Sequence, residues 1–98
     1  MDDQTAPPET RIRLLAQNFP SLWNAHGIRP WNALTFNLWA AEGGLSHGEL
    51  CTARFLLSVW DTDGNWSAGK FCIMEALRVW DQTHRTAFLE WAADPWWA

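Results

Sequence analysis

The sequence predicts an all-α protein: a single compact domain of four to five short helices around a central buried helix at about residues 47–60. Three observations carry that expectation. No segment shows the apolar/polar alternation of period two that a half-buried strand requires. Apolar residues recur instead at helical spacing, as at Ile12, Leu15, Ala16 and Phe19. Helix start and stop signals then divide the chain into short pieces.

Residues 1–8 end in Pro7-Pro8 and read as a flexible N-terminal tail, with the helical domain spanning 9–98. From Glu9 the stripe of Ile12, Leu15, Ala16 and Phe19 makes one amphipathic helix. Pro20 interrupts it and suits the first position of a second, short helix running to about His26. Gly27 followed by Ile28 is a helix stop, with glycine in the left-handed position and isoleucine packing back. Arg29 precedes a proline and is expected to be extended.

Asn32 then caps a helix carrying Leu34, Leu38 and Ala41, ending at Gly43-Gly44. Ser46 and Glu49 have the spacing of a capping box, in which each side chain satisfies the other residue's free N–H. The helix they open runs to about Trp60 and is apolar on nearly every side, so it belongs at the centre. Asp61-Thr62-Asp63-Gly64-Asn65 is a turn by composition. Ser67 is the expected cap of the next helix, carrying Phe71, Ile73, Met74, Leu77 and Trp80 inward and Lys70, Glu75 and Arg78 toward water. Around Asp81-Gln82-Thr83 that helix bends or restarts. His84, Ala87, Phe88, Trp91 and Ala92 mark a last apolar face, which Asp94-Pro95 ends.

Nine of the 98 residues are tryptophan and none is tyrosine. Each Trp brings a large apolar surface and one N–H donor, which helps so short a chain to build a core. The net charge is −4 and the seven basic residues are scattered, so the basic stripe needed for phosphate contacts is missing and nucleic acid is not an expected ligand. No run approaches the ~20 apolar residues of a membrane span. The acidic, polar start of the chain is the opposite of a secretory signal, and a cytoplasmic setting is expected. There Cys51 and Cys72 should be free, buried thiols acting as small hydrophobes.

Several constellations have residue types suited to chemistry. His47 and Cys51 stand four apart on one helix, and Cys72 and His84 could complete a Cys₂His₂ zinc set if three helices meet. The second pair lacks zinc-finger spacing, so no metal or other cofactor is expected and these four residues define the rival, zinc-binding reading. Asp61, Asp63 and Asn65 match the first ligands of a calcium loop, but Trp66 and Cys72 stand where glycine and a bidentate glutamate belong. An Asp/Gly turn accounts for them better. Cys51 beside His47 lacks an orienting third group for nucleophilic catalysis, and Asp81 with His84 forms a hydrogen-bonding pair without an evident nucleophile. No enzymatic activity is expected.

The most suggestive feature is Trp96-Trp97 after the last helix stop. Either they fold back over that helix or they form an exposed aromatic anchor of the kind enriched at binding hot spots. Trp66 and Arg85 are the candidate flanking contacts.

The segments Ser46-His47-Gly48-Glu49-Leu50-Cys51, Phe55-Leu56-Leu57-Ser58-Val59-Trp60 and the C-terminal run from Val79-Trp80-Asp81 to Asp94-Pro95-Trp96-Trp97 resemble small, Trp-rich, uncharacterised bacterial proteins, some associated with mobile genetic elements. The likeness spans roughly residues 12–97. It implies a bacterial accessory protein, an inhibitor of a host complex among the possibilities, and assigns no role to any residue. The expectation is therefore a non-enzymatic helical protein acting by contact with a protein partner or as a homodimer. A structural subunit of a larger assembly is the remaining alternative.

Overall fold

The computed structural model describes residues 6–98. Among them are five α-helices and one short 3₁₀ turn, and the closest approach to a strand is an isolated bridge between Ile28 and Trp31. The fold is all-α, as the missing period-two pattern predicts. Most of the expected tail, residues 1–5, lies outside the described residues. Pro8 is already helical: α1 spans Pro8–Ala16 and begins on a proline because the first helical N–H needs no partner. Its buried residues Ile12, Leu15 and Ala16 are those of the predicted stripe.

Pro20 opens a 3₁₀ turn, Pro20–Leu22, which stops well before the expected His26. Gly27 therefore ends no helix, but it takes φ +87° in the turn that follows, where a Cβ would stand 2.5 Å from the Phe36 nitrogen, so only glycine fits. Arg29 and Pro30 are not a plain extended link. They form the turn between the bridged Ile28 and Trp31, and their peptide bond is cis.

Helix α2, Ala33–Ala41, is capped by Asn32, whose side chain accepts a hydrogen bond from Thr35 N at 3.0 Å. Its orientation is set by packing. Phe36, Asn37 and Ala40 point inward, while Leu34 and Leu38 are 69% and 61% exposed. The helix is apolar around most of its circumference, so its own pattern selects no unique face. Phe36 settles the matter by inserting beside Trp31 and Trp39, with ring centroids at 5.4 and 5.7 Å.

Helix α3, His47–Trp60, has the predicted bounds and the predicted capping box. Ser46 N donates to Glu49 Oε1 at 2.8 Å and Glu49 N donates to Ser46 Oγ at 3.2 Å. It contacts α1, the 3₁₀ turn, α2 and the next helix, and seven of its residues are buried. Phe55 is the hub: the rings of Phe19, Phe71, Trp80, Phe88 and Trp91 all lie with centroids between 5.1 and 6.3 Å from it.

The segment after the Asp61 turn departs most from expectation. Ser67 caps no helix. Its hydroxyl accepts a hydrogen bond from buried Asn37 Nδ2 at 2.7 Å, and Asn37 Oδ1 accepts from Ala68 N at 3.0 Å. Gly69 then takes φ +100°, which ends any helical start. Helix α4 begins only at Ile73, spans Ile73–Val79, and leaves Ile73 and Met74 exposed. The chain restarts at Asp81, which caps α5, Gln82–Ala93. Here the predicted face is largely kept: His84, Ala87 and Phe88 are buried and Trp91 is half-buried, though Ala92 is exposed.

Candidate functional site

Two polar clusters sit near the N-terminal half of α3, each joining residues far apart in sequence. The first is centred on His84, an almost fully buried histidine. Asp81 Oδ1 caps α5 by accepting from His84 N at 2.9 Å and also meets the ring at Nδ1, 2.7 Å away. The other ring nitrogen, Nε2, lies 2.9 Å from Ser21 Oγ and accepts from Ser21 N at 3.3 Å. The backbone donor at Nε2 and the carboxylate at Nδ1 match the tautomer that carries its proton on Nδ1. Ser21 Oγ is in turn 3.2 Å from Thr52 Oγ1, which donates to Gly48 O at 2.9 Å and accepts from Trp80 Nε1 at 2.9 Å.

The result is a chain of groups, each meeting its own partners in sequence. It ties the 3₁₀ turn to α3 and α5 across 63 positions of sequence. The Asp81 carboxyl is held below the usual carboxylate range, first by the backbone N–H of His84 and then by its ring. The sequence pointed to Asp81 with His84 but missed Ser21 and Thr52. For Thr52 a signal existed: a hydroxyl in the middle of an all-round apolar helix must find a partner indoors.

The second cluster converges instead of running on. His47 Nε2, Cys51 Sγ and Arg54 Nη1 all approach a single atom, Glu75 Oε1, at 2.9, 3.4 and 3.4 Å. The ligand-type atoms of His47, Cys51 and Glu75 lie within 4.8 Å of one another. His47 and Cys51 share a face of α3 by their four-residue spacing, and Glu75 comes from the first turn of α4. Arg54 is anchored from behind, its Nε donating to Ala68 O at 2.7 Å. The hydrogen bond from His47, followed by that from Cys51, lowers the Glu75 carboxyl below its ordinary value. Burial, reinforced by the Glu75 hydrogen bond, pushes the Cys51 thiol up to about 11.

This corrects the proposed Cys₂His₂ set in two respects. His84 belongs to the first cluster, and Glu75, expected to face water, takes a place in the second. Cys51 is a buried free thiol as expected, but Cys72 is exposed, as the N-cap residue of α4. The two form no disulfide.

The four aromatic and basic candidates are spread over the molecule. Trp66 is half-buried in the turn and donates from Nε1 to Asp61 O at 3.2 Å. Arg85 donates to Trp80 O at 2.6 Å. Trp96 lies against the body, its carbonyl accepting from Trp91 Nε1 at 3.0 Å and its ring lying under the Arg11 guanidinium at 4.2 Å. Trp97 meets Trp91 edge-on at 5.4 Å and stays 53% exposed. Ala98 N closes the strap by donating to Val59 O at 3.0 Å. The C-terminus thus folds back over α5 and α3 while leaving one indole half in solvent.

No helix among the described residues is long and apolar enough to cross a membrane. No protein-family model, curated protein or solved structure matches the chain.

Proposed function

We propose that this chain is a non-catalytic interaction module acting by protein–protein contact, with the outer side of α2 as its principal face. One observation carries the reading. Helix α2 contains no charged residue, and it turns Leu34 and Leu38 outward one helical turn apart, with exposed Ala41 continuing the stripe. A charge-free, apolar strip of this kind has the composition of the core of a protein interface, where charge is depleted. Burying two leucines on a partner contributes about 1.5–3 kcal/mol each before the losses on association. Trp97 supplies a second, smaller apolar contact at the other end of the chain. Trp66, Arg85 and Trp96 serve chiefly to hold the fold in this reading, because their polar groups or rings are engaged within it.

The partner chemistry is an apolar surface, either on another protein or on a second copy. Sedimentation velocity over a range of concentrations, alone and with co-purified partner, tests it against Leu34→Glu/Leu38→Glu. The intact chain should assemble and the variant should remain monomeric and unbound. Its stability should change by only about 0.5 kcal/mol, because neither leucine is in the core. Identical sedimentation of the two chains would remove α2 from the contact face.

A further inference from the structure

The convergent cluster differs from an ordinary ion pair, because three donors crowd one carboxylate oxygen. We propose that His47, Cys51 and Glu75 form a binding site for a zinc-class divalent metal ion, with Arg54 as the outer partner of the Glu75 carboxylate. The donor set is one nitrogen, one sulfur and one oxygen, a combination suited to zinc. Zinc bonds of about 2.0–2.3 Å in a tetrahedron place neighbouring donor atoms roughly 3.3–3.7 Å apart. The present separations are 2.9 Å for His47 to Glu75 and 3.4 Å for Cys51 to Glu75. The His47 and Cys51 ligand atoms lie within 4.8 Å of each other. Movements of a few tenths of an ångström at Glu75, and of up to about 1 Å at the half-exposed His47, therefore close the three donors around an ion.

The scaffold is already in place. Two ligands stand one turn apart on the most buried helix, and the third sits on the helix packed against it. The His47 and Glu75 side chains are 50% and 33% exposed, so an ion has a path in and water can take the fourth position. Binding releases the Cys51 S–H proton to solvent, and the thiolate then bonds the metal. The positive charge of Arg54, 3.4 Å from the same oxygen, opposes the ion and lowers its affinity. That gives the proposal a sign that a purely structural ion pair lacks: removing Arg54 should tighten metal binding.

The test is a cobalt(II) titration of the full, untagged, reduced chain, followed by the thiolate-to-cobalt charge-transfer band and the visible d–d bands. One equivalent should saturate both, and one equivalent of zinc should abolish them. Cys72→Ser should keep the bands, Cys51→Ser should lose the charge-transfer band, and His47→Ala or Glu75→Gln should weaken binding at least tenfold. Arg54→Gln should bind more tightly than the parent. If Cys51→Ser fails to fold by near-ultraviolet circular dichroism, half-exposed His47 provides the deciding variant. No charge-transfer band, a band that depends on Cys72 alone, or His47→Ala binding as well as the parent would each overturn the site. None of these outcomes bears on the α2 contact face, which is read by sedimentation.

Discussion

The His84 and His47 clusters use similar residue types to opposite ends. Around His84, Asp81, Ser21, Thr52 and Trp80 are joined in a line, with contacts handed on from one residue to the next. Around His47, three donors meet at one oxygen. A line of hydrogen bonds satisfies buried groups and stiffens the packing around them. A convergent node leaves donor atoms facing one another across a small space, which is the geometry of a ligand set. The lesson is that the pattern of convergence, more than the presence of histidine or cysteine, separates a structural network from a candidate site.

Breaking the line should cost the fold far more than breaking the node. Trp80→Ala removes a nearly fully buried ring that packs on Phe19, Phe55 and Phe88, and should cost about 3–5 kcal/mol in urea unfolding. Thr52→Val keeps the shape but takes away one of the two acceptors of the Trp80 indole and the neighbour of Ser21. It should cost about 1 kcal/mol, the net worth of a hydrogen bond, because Gly48 O, 3.3 Å from the indole nitrogen, still accepts from it. A Thr52→Val chain as stable as the parent would mean that the Thr52 hydroxyl contributes nothing.

Acid sharpens the comparison next. Asp81 and Glu75 both have folded-state pKa values below their ordinary ones. Their contribution is therefore fully present above the unfolded-state value of about 4 and is lost as pH falls through the lower folded value. Asp81→Asn keeps a capping oxygen without a titrating carboxyl, so urea midpoints measured from pH 5 to pH 2 should fall less steeply than in the parent. Glu75→Gln should flatten the remaining slope. At neutral pH and without metal, Glu75→Gln should lower the melting temperature only slightly, because its ion pairs are partly exposed to solvent and screened.

Thiol labelling separates the two cysteines with the smallest perturbation. At pH 8 the folded chain should take up one alkyl group, at exposed Cys72, and the unfolded chain two. Cys51 is buried, and with its thiol at about 11 it carries little thiolate at that pH. Two rapid labels on the folded chain would show that the node opens readily.

What the sequence determined by itself was the punctuation of the helices. Asn32, the Ser46/Glu49 pair and Gly43 act on backbone groups within about four residues, so their effects are legible locally. The all-round apolar character of α3 placed it at the centre for the same reason. Tertiary structure decided everything that depended on a choice between equivalent faces or distant partners. In α2, Phe36 displaced Leu34 and Leu38 from the core, because a helix apolar on most sides carries no preferred orientation of its own. Ser67 gave up a cap to satisfy Asn37, which lies 30 positions away and is buried. Ser21 met His84, and Glu75 met His47 and Cys51, because packed helices bring such groups within hydrogen-bond range. Hydrogen bonds and dispersion forces act over a few ångströms, so which distant side chains come together is fixed only once the helices are packed.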